Sequence, residues 1–577
     1  MGLDSMLNPP GCDTEKGLQS SDFAVGDTGP AAIETYGQER FLTRCGLTLE
    51  SFERRPQGQQ GNELERRMKP RHLNMIAIGC SIGAGFFVGS GGALYKGGPG
   101  FVLIDFLLVG VMVFNVVHAL GELAVMYPIS GGFYIYASRF IDPSWGFATG
   151  WNYVLSAAIV LPLELTVCAL TIGYWNDTIS PGVWITIFLV AIVFINVFGT
   201  LGFAEEEFWS SLLKLGATVA FIVISIVLVA GGGPENGPYH EYQGTKLWHE
   251  GGGPFKNGIK GFFSVFISAT FSFSGTEMIG LAAAEAQNPT KALPKAIKQV
   301  FWRITVFYIV GLFFVGLLVS SNDDRLLSEI AYTNTKASPF VLAAEYSGLI
   351  GFNHFMNSVI LVSVLSIGVS AVYASSRTLT ALAQQGYAPS IFTYIDRSGR
   401  PLASVIVALV VGLLAYFNLN GQGPTIFYWL QAFSGPAVLT SWGSICLAHI
   451  RFRKAWLHNG HSLDEIPFRA IGGIYGSWIS LFLIFLVFVA QFYIGIVAPI
   501  GHSGMGSAKT FFKNYLTVFF IILFWTIGYL WKRTGWLKIS QIDVDTGRRA
   551  HDWEYINAYR ETVASWPAWR RALHAII

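Results

Sequence analysis

Twelve apolar stretches, each near the length an α-helix needs to cross a bilayer, leave this chain few ways to fold. They lie near 73–93, 101–125, 145–172, 184–203, 207–231, 261–284, 301–320, 354–382, 402–420, 425–450, 474–499 and 512–533, and are called spans 1 to 12 below. About 20 apolar residues cross the hydrocarbon core, where the backbone must satisfy its own polar groups. Of the 577 residues, 52% are hydrophobic and only 13% charged, roughly half the charged fraction of a soluble domain. Phe (45), Trp (17) and Tyr (23) supply aromatics suited to a lipid interface. The expected fold class is an all-α polytopic membrane protein of about 12 transmembrane helices.

The chain divides accordingly. Residues 1–72 are polar and lack the apolar core of a signal peptide, so they are expected to form a disordered tail. Residues 534–577 form a second tail with Trp553, Trp566, Trp569, Arg570 and Arg571, either an interfacial helix or a soluble extension. Lys and Arg set the orientation. One set of loops carries Arg139, Lys291, Lys295, Lys298, Arg303, Arg377, Arg397, Arg400, Arg451, Arg453, Lys454 and Arg469, and Arg71 and Lys532 flank the same side. The opposite set holds fewer, so both termini are expected to be cytoplasmic. Glu205-Glu206-Glu207 reads as an acidic inner turn, 232–260 as an irregular outer segment and 321–350 as the other long outer loop. The five cysteines, Cys12, Cys45, Cys80, Cys168 and Cys446, suggest neither a disulfide nor a metal site.

Two spans are too rich in helix breakers to be plain rods. Span 1 has glycines at 79, 83, 85 and 89, each costing about 1 kcal/mol against Ala in a helix. Span 6 clusters small and hydroxylated residues around Gly275, with Glu277 following at once. They open two five-helix blocks, 73–231 and 261–450. Five is odd, so the second block enters from the other side: an inverted repeat, with 474–533 added after it. Paired interruptions of this kind point to a transporter's substrate site. The second half of span 1, at Ser81, Ile82, Gly83, Ala84 and Gly85, would present amide groups to a carboxylate. Carbonyls freed at Phe271, Ser272, Phe273, Ser274 and Gly275 would suit an ammonium. Together they suit an α-amino acid. Tight helix–helix contact is the competing explanation for the glycines.

Ionisable groups inside spans are costly and functional by default. Glu164 lies midway along span 3, Lys214 in span 5, and Glu277 after the span 6 break. Glu122 near the inner end of span 2 reads as structural or part of a gate, and Asp105 near the outer end as wetted. Phe273 is the first choice for an aromatic lid, with Tyr153 and Trp151 as alternatives. No Walker A loop or His-Glu-x-x-His spacing is present, so neither an ATP-driven pump nor a metalloenzyme is expected, and no cofactor or nucleic-acid partner is implied.

At Arg71-His-Leu-Asn-Met-Ile-Ala-Ile-Gly79, Ala119-Leu-Gly-Glu-Leu-Ala-Val-Met-Tyr-Pro128, Arg139-Phe-Ile-Asp-Pro-Ser-Trp-Gly-Phe147, Gly275-Thr-Glu277, Tyr373-Ala-Ser-Ser-Arg-Thr-Leu379 and His449-Ile-Arg-Phe-Arg-Lys-Ala455 the chain resembles fungal amino acid permeases of the yeast amino acid transporter family, within the amino acid–polyamine–organocation superfamily. Ile129-Ser-Gly-Gly132 is most similar to the general, broad-range members. The resemblance implies the leucine-transporter fold with its 5+5 inverted repeat, substrate held between spans 1, 3, 6, 8 and 10, and symport with protons across a fungal plasma membrane. It places a proton-sensitive carboxylate at Glu164. Lys214 would supply the positive charge that sodium supplies in coupled relatives of that fold, or would snorkel to headgroups. Glu277 would brace the break or protonate during transport. The tails, with Lys16 and Lys69, would be open to ubiquitin ligase adaptors. Four departures bear on specificity: Ala84 where a Thr is usual, Cys80 for a Gly, Ile367-Gly-Val-Ser370 in span 8, and Pro436 after Gly435 as a further break in span 10. An amino acid sensor with little transport, a permease for one amino acid class, and a channel are the other readings.

Overall fold

The computed structural model describes residues 48–55, 68–128, 131–176, 178–235, 237–250, 252–287, 289–327, 338–419, 423–497, 500, 504–549 and 551–571. Most of the N-terminal tail, with Cys12, Lys16 and Cys45, lies outside these residues, as do Ile129 and Ser130. Among the described residues the protein is helical, and pairing of extended backbone is confined to three isolated bridges, Arg54–Asp396, Met68–Ala286 and Val497–Met505. It is an all-α polytopic membrane protein.

Helices stand at all twelve expected positions. Among the described residues eight are long and apolar enough to cross a membrane: Gly89–Met126, Pro143–Ile172, Gly199–Val229, Lys291–Leu318, Phe352–Gln384, Leu402–Leu419, Gly473–Ile496 and Asn514–Lys532. The shortfall from twelve has local causes. Span 1 is split into Pro70–Gly79 and a second half that begins at Ala84. That half runs into span 2 through a kink at Gly98, where φ is +78° and Pro99 follows. A Cβ there would lie 2.9 Å from the Pro254 carbonyl oxygen, so only glycine fits the corner. Span 4, Pro181–Val197, and the first half of span 6, Gly258–Ser272, are shorter apolar helices.

Span 10, Gly423–His458, is long but carries many polar side chains, and it continues through Pro436. The break expected at Pro436 is therefore absent. Proline leaves the carbonyl four residues earlier without its donor. The Thr517 hydroxyl of span 12 reaches that carbonyl, Ala432 O, at 3.5 Å and donates to Phe433 O at 2.6 Å.

Several charges read as loop residues are interior. Glu205-Glu206-Glu207 lies within the helix Gly199–Val229, not in a turn, because the chain reverses earlier at Gly199. Arg303, Arg377, Arg400 and Arg453 are buried. Arg453 donates to both Glu122 oxygens at 2.7 and 2.6 Å, His449 Nε2 lies 3.1 Å from Glu122, and Ala470 N donates to it at 2.7 Å. Glu122 thus joins spans 2, 10 and 11. Arg377 pairs with Glu285 at 3.2 Å, and Arg400 with Asp396 at 2.6 Å. Asp105, expected to be wetted, is fully buried with neither carboxylate oxygen hydrogen-bonded among the described residues.

The connections are more ordered than their composition suggests. A helix, Phe133–Phe140, fills the link between spans 2 and 3, and another, Pro339–Tyr346, lies in the loop 321–350. The C-terminal segment is neither a free tail nor a lone interfacial helix. Tyr127 Oη donates to Val544 O at 2.5 Å, Arg139 Nε to Asp543 O at 2.9 Å, and Leu537 N to Ile141 O at 3.0 Å. Its helix Trp553–Ala564 is tied through Arg560 to Asp464 O and Ile466 O at 2.8 and 2.6 Å. The N-terminal segment is fastened to the link after span 8, with Arg55 N donating to Ile395 O at 3.1 Å and Arg397 N to Glu53 O at 3.0 Å. Both termini therefore lie on one face.

Removing Glu122 leaves the buried Arg453 guanidinium without a counter-charge. Glu122→Ala is expected to cost about 3–5 kcal/mol. A thermal-unfolding scan of the detergent-solubilised protein should show a marked fall in midpoint, while an exposed pair such as Arg397–Glu53 should contribute about 0–1 kcal/mol.

Candidate substrate site

Each broken span exposes backbone groups that lipid cannot satisfy, and the structure shows how most are met. In span 1 the first half ends at Gly79, and Cys80 to Gly83 separate it from the turn Ala84–Phe87. In span 6 the helix Gly258–Ser272 stops, and helix resumes at Met278. The two breaks lie against each other. Ser272 Oγ donates to Gly85 O at 2.7 Å, and Cys80 Sγ to Gly275 O at 3.2 Å. Gly275 has φ of +92°, and a Cβ there would sit 2.9 Å from Cys80 O, so both conformation and contact demand glycine.

Span 7 fastens the pair from outside. Tyr308 Oη lies 2.8 Å from Ser272 O and 3.3 Å from Ser81 O. Arg303 donates to Ala77 O and to Thr276 Oγ1, both at 2.9 Å. Span 5 adds a second cation, with Lys214 Nζ donating to Gly79 O at 3.2 Å. Two cations thus meet carbonyls at the negative end of the first half-helix, where the dipole favours them.

The carbonyls expected to wait for an ammonium are mostly engaged. Phe271 O accepts from Ser274 N at 3.1 Å, Ser272 O from Tyr308, and Phe273 O from Thr276 Oγ1 at 2.6 Å. Ser274 O has no donor among the described residues. At the start of the second half of span 1, Phe86 N and Phe87 N both donate to Gly83 O, at 3.1 and 2.9 Å, which leaves the Ala84 and Gly85 amides without an intrahelical acceptor.

A cavity opens between the breaks and spans 3, 8 and 10. Of the residues expected to bind substrate, Ser81, Gly85, Phe271, Ser274 and Gly275 line it, and Glu164 and Glu277 line it too. Ile82, Gly83, Ala84, Ser272 and Phe273 do not. Gly83 packs against span 8, where a Cβ would lie 1.8 Å from Ile367 Cδ1. Phe273 is fully buried and stacks on Tyr308 with ring centres 3.9 Å apart, so it is not the aromatic over the cavity; Phe271 is. Tyr153 lines the cavity, whereas Trp151 donates to Tyr387 O at 3.0 Å elsewhere. The selectivity expected of position 84 does not arise by direct lining, while two other departures, Cys80 and Ile367, are in the wall.

Glu164 has one carboxylate oxygen buried without a hydrogen-bond partner. Glu277 is held by Trp442 Nε1 at 3.0 Å. Lys214 is fully buried and does not snorkel. Its Nζ lies 3.8 Å from Glu207, which accepts from Ser211 at 2.8 Å, Ser366 at 2.7 Å and Ser370 at 3.2 Å. The sequence reading missed Glu207, Tyr308 and Arg303. Glu207 had a signal: Glu207, Ser211, Lys214 and Thr218 repeat at the spacing of one helix face. Tyr308 had none, being one aromatic in an apolar run.

A polytopic helical protein with two broken helices closing on a buried cavity has the architecture of a membrane transporter. The model of the amino acid permease family matches residues 72–541. The chain belongs to that family, as a transporter and not an enzyme. It is 61% identical over 563 residues to amino-acid permease inda1 of Hypocrea atroviridis, covering 97% of this chain and 98% of that protein. It is 47% identical over 518 residues to general amino-acid permease GAP2 of Candida albicans, covering 89% and 87%. Cationic amino acid transporter 1 of Schizosaccharomyces pombe is 46% identical over 502 residues, covering 86% and 83%.

The contact at Gly83 gives a direct test. Gly83→Ala should cost about 1–3 kcal/mol of overpacking, and Gly83→Val should abolish substrate binding by driving Ile367 into the cavity. Ile367→Ala in the same chain as Gly83→Ala should restore much of that stability. Binding by the Gly83→Val protein at unchanged affinity would show that the break does not shape the site.

Proposed function

We propose that the protein imports amino acids by alternating access, driven by inward proton flow and over a broad substrate range. The observation that carries this reading is the meeting of both helix breaks at one buried cavity, with an unpartnered carboxylate, Glu164, in its wall. The Gly85 amide, in the first turn of the second half of span 1 and in the cavity wall, receives the substrate carboxylate. Ser274 O, the acceptor left open in span 6, receives the ammonium. The side chain extends among Ala157, Val160, Leu163, Ile367, Ala371 and Val438.

Glu164 carries the proton. A carboxylate in an apolar wall is costly when charged, so protonation and substrate entry are linked. The Lys214 ammonium holds Gly79 O at the end of the first half-helix. Glu277, fixed by Trp442, braces the second break. The blocks 73–231 and 261–450 act as inverted repeats, and 474–533 flank them. The chain works in the plasma membrane of a fungal cell with both termini cytoplasmic, and the segments 1–72 and 534–577 offer surfaces for ubiquitin ligase adaptors.

Broad range is supported by the general permease among the relatives. The narrower reading, a permease for cationic amino acids, draws on the cationic transporter at similar identity and on the carboxylate in the cavity. Uptake of labelled L-leucine, L-aspartate and L-lysine into transport-deficient cells at two external pH values separates these. Accumulation of all three, greater at the lower pH, is expected; uptake of lysine alone selects the narrow reading, and binding without accumulation selects a sensor. Glu164→Gln should retain binding but lose pH-driven accumulation. Full pH-dependent concentration by that variant sinks the coupling role.

A further inference from the structure

A second cavity lies beside the first, toward the side opposite the termini. Its polar wall comes from five helices: Lys96 at the end of span 1, Ser268 and Thr270 in span 6, Gln431 in span 10, Gln491 in span 11 and Asn514 in span 12. Phe271 lines both cavities, its ring lying between Gly85 and Gly435 at 3.2 and 3.6 Å from the positions their Cβ atoms would take. One aromatic ring therefore forms part of the wall between them.

Two groups in this wall are built for a ligand and have none within the protein. Gln491 is 5% exposed, and its Oε1 is buried without a hydrogen-bond partner. A buried amide oxygen left unpaired costs roughly 1–3 kcal/mol, so it persists where a ligand or water meets it. The half-buried Lys96 ammonium makes no ion pair or hydrogen bond among the described residues. Its neighbour Lys256 is fully engaged, donating to Ser321 O at 2.9 Å and Asn322 Oδ1 at 2.7 Å. A free cation and a free amide acceptor in the wall of one cavity match an α-carboxylate and an α-ammonium.

We propose that this cavity is a second amino-acid site, in which Lys96 pairs with the carboxylate and Gln491 Oε1 accepts from the ammonium. It rests on the family's amino acid cargo and not on the assignment of the first cavity. An amino acid held here waits on the far side of Phe271 from the first cavity, so occupancy raises the local supply of substrate to that ring without adding contacts to the transport site.

The test is binding stoichiometry of the purified full-length protein in phosphatidylcholine nanodiscs, with labelled L-leucine, L-aspartate and L-lysine each used alone. Wild type should bind two molecules of a transported amino acid per chain. Lys96→Met and Gln491→Leu should each bind one at saturation of the transport site, the affected site weakening by about tenfold or more, as expected for a lost charge-assisted bond. Lys96→Arg should keep two, which controls for folding. A wild-type value of one, lost in Gly83→Val and untouched by Lys96→Met, overturns the second site. So does a Lys96→Met protein that still binds two amino acids but loses tightly held phospholipid, because the cavity then takes a lipid headgroup. A wild-type value of one that is lost in Lys96→Met and kept in Gly83→Val upholds this site and removes the first cavity's role instead.

Discussion

The structure depends on how backbone freed inside a membrane is satisfied. Breaking spans 1 and 6 strands carbonyl groups in a region without bulk water, at several kcal/mol each. Side chains from neighbouring helices answer: Lys214 at Gly79 O, Arg303 at Ala77 O, Tyr308 between Ser272 O and Ser81 O. Two of these are cations in a fully buried setting, which would be prohibitive without partners. Each has backbone oxygens to meet, and Lys214 has Glu207 3.8 Å away. Breaks and buried charges therefore stabilise one another, and neither would persist alone.

That mutual dependence explains what was legible in the chain. Apolar lengths report the spans because bilayer thickness acts on each segment separately, and helices stand at all twelve positions. The breaks at 80–83 and 273–277 were legible because glycine, serine and threonine mark them locally. The partners were not. Arg303 reads as a loop cation because it borders an apolar run, yet the helix begins at Pro289 and carries it inside. Pro436 reads as a break because the Thr517 hydroxyl that rescues its freed carbonyls lies far along the chain. Phe271 and Phe273 differ by two residues and face opposite ways; the stacking on Tyr308 that decides between them is a tertiary fact.

The buried ion pairs on the face carrying the termini follow the same logic at a different depth. Glu122 with Arg453 and His449, Glu285 with Arg377, and Asp396 with Arg400 join helices distant in sequence. The C-terminal segment lies across neighbouring ground, with Val544 O bound by Tyr127 and Asp543 O by Arg139. Positive charge counted along loops therefore mixes two populations: exposed groups that sense the membrane potential and headgroups, and buried groups whose position is fixed by a carboxylate.

Because span 6 satisfies so much of its own break, few groups remain for a ligand. At the cavity the two breaks contribute Ser81, Gly85, Ser274 and Gly275. The rest of the cavity is side chain, from Ser156 and Leu163 in span 3 through Ile367 and Ala371 in span 8 to Ser434 and Val438 in span 10. Backbone recognition tolerates substitution, since any residue supplies the same amide and carbonyl, whereas the walls change with every exchange of residue. Relatives at 47% and 46% identity carry a general and a cationic designation. The wall residues of spans 3, 8 and 10 make none of the ties that hold the two breaks together, so their exchange leaves those ties intact.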